Sequence, residues 1–151
     1  MGFFQYVRKF IKRFIYTSYR LQENVDDSKV LLGKLLAQAH LQNSSALKKD
    51  IQQAEFKVFS QWGDDGIIQF LVSYLDIPQK TFIEFGVEDY SESNTRFLLI
   101  NNNWKGLVLD GNKNDINYIL DDEIYFRHEL TAKQVFVTAE NINQIIAENG
   151  F

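Results

Sequence analysis

Two short apolar runs, separated by a helical segment, constrain the fold of this chain more than any other feature. Residues 81–87 read TFIEFGV, and residues 106–110 read GLVLD. Each run is short, rich in β-favouring residues and bounded by turn or polar residues, which is typical of a buried strand. The segment that starts at Asn94-Thr95 and extends to about Asn102 has a helical pattern. A strand, a helix and a second strand in this order predict parallel pairing through a right-handed crossover.

The same alternation continues toward the end of the chain. Asn112 is a candidate cap for a helix that carries Ile116, Ile119 and Leu120 on one face. A third strand is expected in either Ile124–Arg127 or Gln134–Val137, and the pattern does not choose between the two. Thr138 is expected to cap a last helix whose inward-facing residues are Ile142, Ile145 and Ile146.

These elements predict an α/β fold: a partial Rossmann-like, doubly wound parallel sheet over residues 59–151, preceded by N-terminal helices over residues 1–58. A helix that opens within residues 60–66 precedes the first strand, and its expected apolar stripe consists of Ile67, Ile68, Leu71, Tyr74 and Leu75. Three strands make only the first half of such a domain. We therefore expect the natural domain to continue past Phe151 and the 151-residue chain to be a fragment.

The N-terminal extension divides into an amphipathic basic helix over residues 3–20 and a second helical region over residues 28–58. The first twenty residues carry a charge of +5 and no acid, whereas the remaining residues sum to −9. A Phe-rich face opposite a Lys/Arg face is typical of a helix in an anionic membrane surface. The alternative is a helix that packs on its own domain or on a partner. Within the second region, residues 43–45 (NSS) predict a break.

Composition excludes several classes of site. The chain has no Cys, so disulfides and Cys-ligated zinc are impossible, and its two histidines, His40 and His128, lie far apart in no metal-ligand spacing. The acidic main body argues against a nucleic-acid partner. No apolar run is long enough to span a bilayer, and the N-terminus lacks the block structure of a secretory signal. We therefore expect a cytoplasmic protein without a metal, with peripheral contact at the inner membrane face through residues 3–20 as the alternative.

The candidate site lies where the two strands end, because open parallel sheets bind ligands beyond their carboxyl edge. Gly86 follows the first strand and allows a tight turn, and the helix that starts near Asn94 is expected to present free N–H groups there. Asp110 ends the second strand 24 residues later. An acid at this distance suits the hydroxyls of a ribose. Gly86 and Asp110 thus predict a nucleoside site.

The turn after Gly86 argues against a dinucleotide. A dinucleotide fingerprint would require glycines where Glu88 and Ser91 stand. The acids Glu88, Asp89 and Glu92 would repel a pyrophosphate but tolerate a cationic sulfonium, which favours S-adenosylmethionine over NAD. The alternative is that these acids only cap the next helix.

Three blocks together resemble the FkbM-like methyltransferases, which are Rossmann-type enzymes that use S-adenosylmethionine. The blocks are residues 60–68 (SQWGDDGII), residues 82–95 (FIEFGVED followed by ESNT) and residues 104–111 (WKGLVLDG), within a resemblance that covers about residues 59–151. Many members are O-methyltransferases that act on glycans or in surface-polysaccharide pathways. The later glycines of the family's turn are replaced here by Glu88 and Tyr90.

The resemblance also implies roles for individual residues. Glu84 and Gly86 would hold the methionine part of the cofactor, and Asp110 its ribose. The remaining cofactor-binding candidates are Asn94 and Thr95, at the start of the facing helix, and Gln61 and Asp64, in the block before the first strand. The resemblance identifies no catalytic residue. The predicted function is O-methylation of a glycan or a related small-molecule acceptor, and the alternative is a non-catalytic Rossmann-like binding or scaffold module in surface-glycan assembly.

Overall fold

The fold centres on a small parallel sheet. The computed structural model describes residues 3–151. Its strands are β1 (Thr81–Phe85), β2 (Lys105–Asp110) and β3 (Leu130–Gln134), parallel and in the spatial order β1-β2-β3. The predicted α/β class, with a parallel sheet built on the first two runs, is confirmed.

Seven α-helices and one 3₁₀ helix accompany the sheet within the described residues. Three of them lie between the strands: α4 connects β1 to β2, and α5 with α6 connects β2 to β3. The helices are α1 (Phe3–Gln42), α2 (Ser44–Leu47), the 3₁₀ helix (Ile51–Ala54), α3 (Asp64–Tyr74), α4 (Arg96–Asn102), α5 (Lys113–Asp121), α6 (Glu123–Arg127) and α7 (Ile142–Glu148).

One face of the sheet carries the main core. The register aligns Phe82 with Gly106 and Gly106 with Leu130, so these three residues lie side by side. A Cβ at Gly106 would overlap the Phe82 ring, and the glycine therefore makes room for it. The buried residues that pack here from β2, β3 and the helices are Val108, Ala132, Leu98, Leu99, Trp104, Ile116, Ile119 and Ile124. Since α4, α5 and α6 all contribute, they cover the same face, as right-handed crossovers in this strand order require.

The chain after β3 returns toward the amino end of β2. Side chains alternate along a strand, so Lys105, Leu107 and Leu109 lie on the face opposite Gly106 and Val108. The Lys105 ammonium lies 4.6 Å from the centre of the Phe151 ring, just beyond the end of α7. The isoleucines of α7 are half-buried, as expected for a helix with one face packed: Ile142, Ile145 and Ile146.

The N-terminal region is more continuous than the sequence predicted. A single helix, α1, spans residues 3–42, and the expected gap between residues 20 and 28 is absent. Ser28, where the second helical region was expected to begin, lies inside α1, and its hydroxyl donates to the Asn24 carbonyl at 2.8 Å. The break at Asn43 is confirmed, but a long helix does not continue to residue 58. Within residues 3–151, no helix combines the length and apolar character needed to cross a bilayer.

The third strand lies at neither predicted place. Ile124–Arg127 belongs to α6, because the Asp122 side chain accepts the N–H of Ile124 at 2.8 Å and caps a helix there. Gln134–Val137 shares only Gln134 with β3. Both segments are apolar enough for a strand. The Asp122 cap makes the first one a helix, and the second begins at the last residue of β3.

Two helix details also differ from the sequence prediction. The buried face of α3 is formed by Asp65, Gly66, Gln69 and Phe70, whereas Tyr74 and Leu75 of the expected stripe are about half exposed. The last helix begins at Ile142 and not beside Thr138, because the Asn141 side chain accepts the Thr138 N–H at 2.8 Å and forms a turn before the helix.

Candidate functional site

A cavity of about 440 Å³ opens at the carboxyl edge of the sheet, and we call it the edge cavity. Its volume falls in the range of small-ligand sites. Gly86 and Asp110, which the sequence paired as a nucleoside site, both line it. The full lining is Phe85, Gly86, Asp110, Gly111, Asn112, Val135, Phe136 and Val137.

Gly86 forms an open wall of the edge cavity. Its φ is +71°, in the left-handed region that favours glycine, and a Cβ at this position would meet no atom within 4 Å. Its N–H donates to the Leu109 carbonyl at 2.8 Å, which ties the end of β1 to β2. The backbone is therefore fixed here while the space in front of it stays open.

The loop after Gly86 keeps a glycine-like shape without glycines. Glu88 has a φ of +50° and Tyr90 a φ of +64°, both in the left-handed region that favours glycine. Each such conformation costs a non-glycine residue about 1 kcal/mol or more, so surrounding contacts must hold it. Tyr90 is fully buried, and its hydroxyl lies 3.0 Å from Oγ1 of Thr95. Burial raises the pKa of the Tyr90 phenol, which therefore stays neutral.

Asp110 connects the two loops that border the cavity. Its Oδ2 accepts the N–H of Glu88 at 3.0 Å, and its Oδ1 accepts the N–H of Asn112 at 2.7 Å. A carboxylate offers about four lone-pair sites, so each oxygen retains acceptor capacity. Asp110 can therefore order both loops and still accept hydrogen bonds from a ligand.

Glu84 accepts the backbone N–H groups of the two residues that precede α4. Its Oε1 accepts the Asn94 N–H at 3.0 Å, and its Oε2 accepts the Thr95 N–H at 3.1 Å and the Thr95 hydroxyl at 2.5 Å. A carboxylate is stabilised at a helix N-terminus by the helix dipole. The helix was expected to present free N–H groups from near Asn94, but the N–H groups of Asn94 and Thr95 are occupied by Glu84, and none of these three residues lines the edge cavity.

Gln61 and Asp64 also lie outside the lining of the edge cavity. The Gln61 carbonyl accepts a hydrogen bond from Nζ of Lys57 at 3.1 Å, and Asp64 is the first residue of α3. The block around them is organised by Asp65, which sequence reasoning did not single out. An acid in the first turn of a helix, after a Gly-containing loop, was the signal available for it.

Asp65 is 1% exposed, and its carboxylate accepts several backbone hydrogen bonds. Its Oδ2 accepts the N–H groups of Val58, Phe59 and Ser60 at 2.8, 2.7 and 2.7 Å. Three backbone donors on one carboxylate oxygen fix the loop that leads into α3. This conspicuous sequence block therefore has a structural use that needs no ligand.

Two exposed aromatic residues complete the edge cavity, and sequence reasoning missed both. Phe85 is the last residue of β1, and Phe136 follows β3 and is 78% exposed. The Phe136 ring packs directly over Gly111, where a Cβ would overlap it. Flat aromatic surfaces beside an open cavity suit a planar ligand such as a nucleobase.

A second, larger cavity of about 750 Å³ lies between α1 and the α4–α6 face. Its wall mixes acids and bases, so its charge selects no single class of ligand. Arg96 lies in this wall, where Nη1 donates to the Tyr90 carbonyl at 3.0 Å and the guanidinium lies 5.2 Å from the Phe59 ring. Burial, then Arg127 and Arg96, lower the pKa of His128.

Comparisons of the chain with protein-family models, with curated proteins and with solved structures return no match. Within residues 3–151, no group of three or more His, Cys, Asp or Glu side chains is arranged to hold a metal ion. The candidate site therefore rests on the geometry of the edge cavity alone.

Proposed function

We propose that the edge cavity binds the adenosyl part of S-adenosylmethionine and that the protein is an FkbM-like methyltransferase with a Rossmann-like fold. One observation carries this proposal: Gly86 and Asp110, from the ends of two adjacent strands, line the same open cavity. In parallel sheets of this kind, ligands bind at this edge. The expected reaction is O-methylation of a glycan or a related small-molecule acceptor.

The chemistry of the lining fits an adenosyl group. The spare lone pairs of Asp110 would accept the ribose hydroxyls, and the rings of Phe85 and Phe136 would cover the base. Gly86 leaves the space in which the ligand would approach the backbone. These three contributions come from β1, β2 and the segment after β3, so the site depends on the folded sheet.

The α4 cap favours a sulfonium ligand over a dinucleotide. A pyrophosphate normally takes the free N–H groups at a helix N-terminus, and here Glu84 already accepts those of Asn94 and Thr95. Glu88 and Asp89 add negative charge to the neighbouring loop. That charge disfavours phosphate and tolerates a cation.

The cofactor, when bound, would supply an electrophilic methyl group. The role of this chain is then to orient it: Asp110 fixes the ribose, and the loop that contains Glu88 fixes the wall beside it. Holding two reactants in place can lower a barrier by several kcal/mol without any acid or base. The structure assigns no general base among the residues that line the edge cavity.

Calorimetric titration of S-adenosylmethionine and S-adenosylhomocysteine tests the proposal. Asp110→Asn is expected to weaken binding more than about tenfold, since hydrogen bonds to a charged acceptor are lost. Asp121→Asn changes an exposed acid that lies outside the cavity and is the matched control.

A second pair of variants tests the aromatic wall. Phe136→Ala is expected to weaken binding, while Phe126→Ala, at an equally exposed Phe on α6, leaves it unchanged. Absence of binding by the folded wild-type chain, or equal affinity after Asp110→Asn, would contradict the proposal.

A non-catalytic binding or scaffold module in surface-glycan assembly is the second candidate. It is favoured by α1, whose first half projects from the domain and contributes nothing to the edge cavity. This candidate predicts a folded chain that binds neither S-adenosylmethionine nor its product. Either function would be carried out on the cytoplasmic side.

A further inference from the structure

The first half of α1 projects from the domain. From Phe4 to Gln22, every side chain except Val7 is exposed. The second half is held on the domain through Gly33, which is buried so closely that a Cβ would lie 2.8 Å from both Phe97 and Val58. One end of α1 is therefore fixed, and the other is presented to its surroundings.

An apolar stripe follows the outer side of α1. At 3.6 residues per turn, Phe10, Phe14, Leu21 and Leu32 fall on one side of the helix, opposite the half-buried Val30 that packs on the domain. The four stripe residues are each 60–65% exposed. Large exposed apolar side chains that line up on one side of a helix mark an interaction site. The stripe faces away from the domain, and none of its four residues lines either cavity.

The charges around the stripe are of one sign over the first twenty residues. Arg8, Lys9, Lys12 and Arg13 lie beside and behind Phe10 and Phe14, and no acid occurs before Glu23. Two copies of α1 aligned in parallel would bring these cations together, and like charges disfavour that pair. An anionic surface instead complements them, while the rest of the chain, at −9, is repelled from it.

We propose that the first half of α1 lies along the surface of an anionic lipid bilayer, with Phe10, Phe14 and Leu21 of the stripe in the boundary between headgroups and acyl chains. Arg13 lies beside the stripe and contacts the lipid headgroups, while Arg8, Lys9 and Lys12 lie farther round the helix and attract the anionic surface. Because the domain packs on the opposite side of α1, it stays on the aqueous side with the edge cavity accessible. This proposal is independent of the ligand of that cavity.

Vesicle co-sedimentation of the full chain tests the proposal, with phosphatidylcholine vesicles that contain or lack phosphatidylserine. Binding is expected only with phosphatidylserine and is expected to fall as salt is added. Lys9→Gln should weaken binding about fivefold, the effect of one cation near such a surface. The double variant Phe10→Ser/Phe14→Ser should weaken it more than about tenfold. Phe126→Ser, at an exposed Phe on α6, is the matched control and should bind as the wild type does.

Circular dichroism establishes that the variants keep their helices, since both substituted side chains are exposed and contribute little to the core. Equal binding to vesicles without phosphatidylserine overturns the proposal, as does unchanged binding by the Phe10/Phe14 variant. A lipid-free dimer that becomes a monomer in that variant also overturns it, because the stripe would then bind a second copy. Sedimentation equilibrium without vesicles measures this last outcome.

Discussion

Asp65 and Ser60 hold each other through reciprocal hydrogen bonds inside the protein. The Ser60 hydroxyl donates to Oδ2 of Asp65 at 2.9 Å, and the backbone N–H of Asp65 donates to Oγ of Ser60 at 3.0 Å. Both residues are almost completely buried. The pair closes the loop before α3 and fixes the direction in which that helix leaves it.

Replacement of Asp65 is expected to be costly. Asp65→Ala leaves the buried N–H groups of Val58, Phe59 and Ser60 without their acceptor, and the expected loss of unfolding free energy is about 3 kcal/mol or more. Urea denaturation measures it. Asp64→Ala, at the partly exposed neighbour, is the control and should cost less than about 1 kcal/mol. A loss below about 1 kcal/mol for Asp65→Ala would show that the carboxylate does not organise this loop.

Gly106→Ala is expected to destabilise the sheet. The added methyl group would overlap the Phe82 ring in a close-packed core, and overpacking of this kind costs about 1–3 kcal/mol. Thermal unfolding of the single variant measures the loss. The double variant Gly106→Ala/Phe82→Leu makes room for the methyl group and should lose less than the sum of the two single changes. Strict additivity would argue against the contact.

Glu88→Gly is expected to be neutral or stabilising, which is unusual for a change to glycine. At a φ of +50°, Glu88 is in a strained conformation that glycine adopts without cost. Glycine also makes the unfolded chain more flexible, and we expect these two opposing contributions to stability to cancel to within about 1 kcal/mol. Glu92→Gly, in the same loop but without a positive φ, should instead lose about 0.5–1 kcal/mol. Chemical denaturation compares the two, and the reverse ranking would contradict the assigned loop conformation.

Stability is expected to fall on mild acidification because of two histidines. Burial lowers the pKa of His40, and burial, Arg127 and Arg96 lower that of His128. Between the ordinary value of about 6.5 and the lower folded pKa, the unfolded chain binds protons that the folded chain does not. The stabilising contribution is therefore complete above the ordinary value and is lost as the pH falls through the folded pKa. Melting temperatures across this range measure it.

The double variant His40→Gln/His128→Gln provides the comparison for the pH dependence. Its melting temperature should change less than that of the wild type between about pH 5.5 and 8, where carboxylates titrate little. An unchanged slope would assign the acid sensitivity to other groups.

The sequence predicted those elements whose signals are local. β1 and β2 were found from short apolar runs, and α5 from Asn112, whose side chain accepts the Asn114 N–H at 3.0 Å as a helix cap does. The third strand was missed because Ile124-Tyr125-Phe126 has the composition of a strand. The Asp122 cap overrode that composition.

The site was predicted in part for a similar reason. The sequence could place Gly86 and Asp110 at one site because each lies at the end of a strand and the two strands are neighbours in the sheet. Glu84 could not be assigned from the sequence, because whether its carboxylate faces a ligand or the N–H groups of α4 depends on tertiary packing. Phe136 lies beyond a strand whose location was itself uncertain from the sequence.

The hydrogen bond from the Glu88 N–H to Asp110 also affects any ligand that enters the edge cavity. Because the chain's own carboxylate orders the loop, the loop loses its conformational entropy during folding and not during binding. The cavity is to that extent preorganised, and a ligand meets a wall already in its final shape. Amide hydrogen exchange at Glu88 should therefore be slow before any ligand is added.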